Sequence, residues 1–266
     1  MKQRANFWRC LALALCGLAP ALLRADPEPG LLYAQTARPG TTITANATAT
    51  AARPLARGET LTATGQVLNT PVGQPLLLVL SNGSTAYLPS GSQLTLEEFT
   101  QEPVDSTIKD RDYEPSRSTL RLNLAQGQLV FAGRQADPTS IITITTPFAQ
   151  FRCHSQSLVV EVTGDSVTIT LFEGYAEVLI PDIKYHDTVQ GGQTATLTRK
   201  TLHDPIPLKP TLISDQQNTR LGNLLASARW AELRVGFVRK DGVLRPQIVV
   251  PKDFNLQTSV DDPRFR

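Results

Sequence analysis

The sequence predicts an all-β protein with many short antiparallel strands, arranged as a sandwich, a roll or a β-solenoid, and followed by one helix and a hairpin. Three observations carry this. From Glu59 to Leu197 the chain is a succession of short β-branched runs at 8–12-residue spacing, punctuated by Gly, Asn, Asp and Pro. Asn82-Gly83 separates PLLLVLS from STAYL, and Thr163-Gly164-Asp165-Ser166 separates LVVEV from VTITL, so both read as hairpin turns. In VTITL, Val167, Ile169 and Leu171 alternate with Thr168 and Thr170, the period of two that gives a strand one apolar face.

Taken in order, the first 25 residues look like an export leader. Lys2, Arg4 and Arg9 precede an apolar stretch from Cys10 to Leu23, and the small residue Ala25 stands before Asp26-Pro27. At about 14 residues the stretch is short of the roughly 20 that cross a bilayer, and cleavage after Ala25 is expected. The protein would then be exported, periplasmic or extracellular. Lipid anchoring at Cys16 is disfavoured because Leu15 stands where that processing wants a small residue.

Removing the leader changes the charge and the cysteine count. It takes four of the 26 basic side chains and no acidic one, leaving 22 against 24. A slightly acidic chain with dispersed Lys and Arg argues against nucleic acid as a partner. Cys10 and Cys16 lie in the leader, so Cys153 stands alone and cannot form an intramolecular disulfide. It reads as a small buried hydrophobe.

Residues 26–58, rich in Thr, Ala, Pro and Arg, show no sustained period of bulky apolar residues and read as a low-complexity linker. Asn46-Ala47-Thr48 fits a glycosylation acceptor pattern of little weight. The β domain is expected over 59–200, with strands at 66–69, 75–81, 84–89, 92–98, 119–124, 127–132, 140–146, 148–152, 157–163, 166–172, 175–180 and 193–198. Residues 99–118 break this rhythm with mixed charge and two prolines, a long connection that reads as a solvated insertion. In the C-terminal extension, 201–266, Ser214 and Gln217 make a capping-box pattern. Leu221, Leu224, Leu225, Ala228 and Ala231 follow at helical spacing, giving a helix over about 214–235. A hairpin around Asp241-Gly242 comes next, with Pro246 on an edge.

Chemistry-bearing patterns are weak. His154, His186 and His203 have no metal-ligand spacing, and His154 beside Cys153 points to the opposite face of a strand. Ser166 sits in a turn without the GxSxG elbow a nucleophile needs. Gly191-Gly192-Gln193 lacks the Lys-Ser/Thr of a phosphate cradle and reads as a tight turn. Glu97, Glu98, Asp110, Asp112, Glu173 and Glu177 could supply the carboxylate pair of a carbohydrate hydrolase, with Tyr87, Tyr113 and Tyr175 as sugar contacts. No catalytic, metal or cofactor residue is assigned from the sequence, and the chain is expected not to be an enzyme.

The order of the β-rich pieces resembles the FecR-type extracytoplasmic sensor domain, as found in stand-alone exported members of verrucomicrobial type. The pieces are Thr70-Pro71-Val72-Gly73, Asn82-Gly83-Ser84, Pro89-Ser90-Gly91-Ser92, Leu124-Ala125-Gln126-Gly127-Gln128-Leu129-Val130, Ile144-Thr145-Thr146-Pro147-Phe148-Ala149, Phe172-Glu173-Gly174-Tyr175-Ala176-Glu177-Val178 and Gly192-Gln193. Ser155-Gln156 departs from the Gly-Thr usual after the TP strand, which bears on a local turn. Signalling members carry an anti-sigma segment and a membrane helix ahead of the sensor. Only nine residues precede the apolar leader here, so direct sigma-factor binding is not expected. The resemblance implies a binding module for a protein or an envelope polymer. Its alternatives are a sensor that signals through a separate membrane partner, or the hydrolase.

Overall fold

The computed structural model describes residues 26–45, 51–103, 117–133, 137–232, 234–241 and 243–248. The expected leader, Asn46-Ala47-Thr48, Asp110, Asp112, Tyr113 and Gly242 lie outside them. Segment 26–58 contributes β1 (Glu28–Pro29), β2 (Leu31–Thr36), β3 (Thr42–Thr44) and β4 (Arg53–Pro54). Then come β5 (Thr60–Thr62), β6 (Val67–Asn69), β7 (Leu76–Leu80), β8 (Thr85–Leu88) and β9 (Gln93–Gln101). The long strands follow, β10 (Ser118–Ala132), β11 (Ile141–Thr145), β12 (Gln150–Val162) and β13 (Ser166–Ile180). The chain ends with β14 (Tyr185–Gln190), β15 (Gln193–Thr198), β16 (Thr211–Leu212), helix α1 (Asp215–Glu232), β17 (Val235–Lys240) and β18 (Val243–Ile248).

Among the described residues sixteen strands form one continuous hydrogen-bonded sheet, and β17–β18 is a separate hairpin. The sheet doubles over because three strands change partners along their length. β10 pairs with β9 over its first half and with β8 and the end of β12 over its second. β12 and β13 stay together throughout, while β13 trades β15 for β14. At each change the inward parity flips. Leu120, Leu122 and Leu124 point into the core, then Leu129 and Phe131; Phe151 and Cys153, then Leu158 and Val160; Ile169 and Leu171, then Ala176 and Val178. One extra residue at a bulge turns a strand's apolar face over, so a single strand can line both layers of the core. The sequence suggested two strands at each of these places. In β10 and β13 a glycine inside the alternating run, Gly127 and Gly174, bends the strand without ending it.

The expected linker is instead part of the sheet. β2 pairs with β5 and β7, and Leu32 and Ala34 are fully buried. Its apolar pattern is faint because one of the two inward residues is alanine. Nearby, Gly30 lies so close to the buried ring of Phe99 that a Cβ would fall 2.2 Å from it.

All five residues of β7 are buried. Leu76, Leu78 and Leu80 face the core, whereas Leu77 and Val79 face outward beneath α1 with Ala231 and Val235. Val130, Ala132 and Val159 likewise lie under Leu221, Leu225 and Ala228. The helix therefore covers the outer face of the first layer, and a strand buried on both faces reads as an unbroken apolar run. Its start is the expected capping box. Ser214 Oγ accepts from Gln217 N at 3.3 Å, and Gln217 Oε1 accepts from Ser214 N at 3.1 Å. Among the described residues no helix is long and apolar enough to cross a membrane.

Candidate functional site

The residues weighed for chemistry are dispersed. Cys153 is buried in the core, and burial pushes its thiol up to about 12. Ser166 Oγ is 2.8 Å from Thr163 Oγ1 within the turn that joins β12 to β13. Glu97 accepts from Asn123, Glu98 lies 4.0 Å from Arg121, and Glu173 pairs with Arg229 of α1 at 2.9 Å. Each of these acids has its own partner. Among the described residues no group of three or more His, Cys, Asp and Glu could hold a metal ion. His186 stands on β14 and His203 in the loop before β16, both exposed, while Tyr87 is half-buried beneath α1.

The residues that do come together lie on the outer face of the second layer, which α1 leaves open. In the β12–β13 register Arg152 faces Glu177 and His154 faces Tyr175. The His154 and Tyr175 rings stack with centroids 4.6 Å apart at 15°. Glu177 stands 4.0 Å from both Arg152 Nη1 and His154 Nε2. Neither contact is short enough for a hydrogen bond, and His154 Nε2 is buried without a partner. Tyr175 is 43% exposed. It follows Gly174, whose φ of +88° marks the bulge where β13 leaves one layer for the other. A bulge at such a place re-aims the next side chain. The sequence named His154, Tyr175 and Glu177 separately. Only the strand register shows them as neighbours of Arg152.

The remaining motif residues build turns and crossings. Thr70 Oγ1 donates to Pro89 O at 2.8 Å and accepts from Ser92 N at 2.8 Å. Ser92 Oγ accepts from Gln128 N at 2.9 Å. Between them Gly127, at φ +84°, packs so tightly that a Cβ would lie 2.5 Å from Ser92 Cα. Three sequence pieces far apart thus form one knot at the bulge of β10. Asn82-Gly83 makes the expected hairpin. Gly83 N bonds Leu80 O and Leu80 N bonds Ser84 O, a three-residue loop with the positive φ at Gly83 alone. Asn82 is fully buried, its Oδ1 accepting from Ser84 and its amide donating to Ser118. Thr146 closes the β11–β12 turn through Ala149. Gly191 N bonds Gly174 O at 2.7 Å, tying the β14–β15 turn to the bulge of β13.

A shallow cavity of about 110 Å³ lies where β1 meets β9 and β10, with Gln101, Glu102, Arg117 and Ser118 among its lining. Ser118 and Gln101 are already engaged there, Gln101 with Ser81 at 2.6 Å and Ser118 with Asn82 and Ser140.

Residues 66–177 match the family model described as FecR protein. This segment is a FecR domain. It spans β6 to most of β13 and includes the Thr70–Ser92–Gly127 knot, the Thr146 turn and the His154–Tyr175 stack. Two crystal structures of a candidate anti-sigma factor from Parabacteroides distasonis resemble the chain. One is 9% identical with a TM-score of 0.43, covering 69% of this chain and 99% of that one. The other is 12% identical with a TM-score of 0.41, covering 73% and 87%. No curated protein matches. The FecR domain ends before α1, so the helix that roofs its first layer lies outside the matched segment.

Proposed function

We propose that this chain is an exported, non-enzymatic FecR-like module that binds a protein or an envelope polymer. In this reading residues 1–25 are a cleaved leader and the rest is the working protein. The observation that carries it is how the described motif residues are used. Thr70, Ser92, Gly127, Thr146, Gly174 and Gly191 hold turns and crossings, and Glu97, Glu98 and Glu173 each have a separate partner. The domain is a scaffold that leaves one polar sheet face open. A second reading, favoured by the match to the FecR family, is a sensor component that passes a signal to a separate membrane partner.

The test uses the whole chain, expressed with its own leader and purified from the exported fraction. It is offered to detergent-solubilised membranes and, separately, to washed cell-wall sacculi. Saturable retention on sacculi supports the envelope-polymer reading, and a saturable membrane-protein complex supports the sensor. Retention on neither sinks the binding-module reading.

A further inference from the structure

We infer that the Arg152–His154–Tyr175–Glu177 cluster is a subsite for a sugar ring of an uncharged polysaccharide. The inference rests on the binding-module reading and names its ligand class. A pyranose has an apolar face of axial C–H bonds and a rim of hydroxyls. It is held by an aromatic ring against the face and by a few polar side chains at the rim. The cluster offers both within two paired strands. Tyr175 is 43% exposed, and its ring is stacked at 4.6 Å on that of His154.

The polar members are under-bonded by their own chain. Glu177 lies 4.0 Å from Arg152 and 4.0 Å from His154, beyond hydrogen-bond reach of either, and His154 Nε2 has no partner. Hydroxyls, which both donate and accept, can bridge gaps of this kind, giving to the carboxylate and receiving from the guanidinium. Thr143 opposite Arg152, and Thr188 opposite Glu177, extend the rim with further hydroxyls.

Charge selects among ligands. Arg152 and Glu177 cancel, so the patch has no net field to gather a polyanion such as nucleic acid or a phosphorylated polymer. A peptide joining by strand addition would use a sheet edge. This cluster lies on a sheet face, with β14 hydrogen-bonded beyond β13. The neutral, hydroxyl-bearing face with one aromatic platform suits a glycan chain lying across the strands.

The experiment is affinity electrophoresis of the whole exported protein through gels containing laminarin, xyloglucan or mannan, with pelleting on purified peptidoglycan alongside. Wild type, Tyr175→Ala, Tyr175→Phe and Arg152→Ala are compared after thermal melts show each is folded. Retardation by at least one polysaccharide, weakened about tenfold in Tyr175→Ala and kept in Tyr175→Phe, is the expected result. Arg152→Ala should weaken it by a similar factor. Equal binding by wild type and Tyr175→Ala overturns the subsite while leaving a glycan-binding module elsewhere on the surface. A wild type that binds no glycan yet forms a saturable membrane-protein complex overturns the glycan and leaves the binding-module reading intact.

Discussion

Replacing Gly127 by alanine should be among the most damaging single-methyl changes in the FecR domain. Gly127 sits at φ +84°, a backbone region that costs an L-residue about 1–2 kcal/mol. Its new Cβ would meet Ser92 Cα at 2.5 Å and Gly91 O at 2.8 Å, both parts of a hydrogen-bonded backbone that cannot rotate away. Overpacking of this kind costs about 1–3 kcal/mol. Alanine's smaller unfolded-state entropy returns about 0.4–1 kcal/mol, leaving a net loss of about 1–4.6 kcal/mol. For a chain of this length that is a fall in Tm of about 2–18 °C. Gly91→Ala is the control, with φ +75° and nothing within 4 Å of the added carbon. It should lose about 0–1.6 kcal/mol. Calorimetry of both variants reads the difference. If Gly127→Ala melts no lower than Gly91→Ala, the close approach of Ser92 is not what holds the bulge of β10, and the argument from the knot fails.

Four further outcomes are expected. Arg229→Ala removes the guanidinium that reaches Ser157 Oγ at 2.7 Å and Glu173 at 2.9 Å, so α1 amides should exchange faster with solvent while those of β12 change little; the stability loss should be about 1 kcal/mol. Ser214→Ala breaks the capping box and should cost about 1 kcal/mol, with the amide of Gln217 losing protection first. Cys153 should resist thiol reagents at pH 8 in the native protein and react at once in denaturant. Because the folded chain holds that proton more tightly than the unfolded one, its contribution to stability is complete below the ordinary thiol pKa and is lost as pH rises toward about 12. Cys153→Ala should flatten that alkaline decline, as read from denaturant midpoints between pH 8 and 10.5.

Most strands were legible because their apolar residues alternate and their turns carry Gly or Asn, as at Asn82-Gly83 and Thr163–Ser166. What escaped had physical causes. β2 shows a Leu32/Ala34 inner face too small to stand out among threonines and alanines. The covering role of α1 was written in the runs LLLVL, LVFA and LVV, which are apolar on both strand faces and so need a second layer outside the sandwich. The FecR pieces could be recognised in order, yet their meeting at Thr70, Ser92 and Gly127 depends on strand order that spacing does not encode. The same holds for the open face. Arg152 and Glu177 are 25 positions apart, and only the register of β12 against β13 makes them neighbours.

The bulge at the middle of β13 has a mechanical corollary. Glu173, which grips Arg229 of the roof helix, and Tyr175, which stands on the open face, are separated by Gly174 alone. On the adjoining strand Ser157, also held by Arg229, lies three positions from His154. The helix anchor and the stacked rings are therefore joined through a few covalent bonds, so a displacement of one is tied to the other by the backbone as well as by the packed interior.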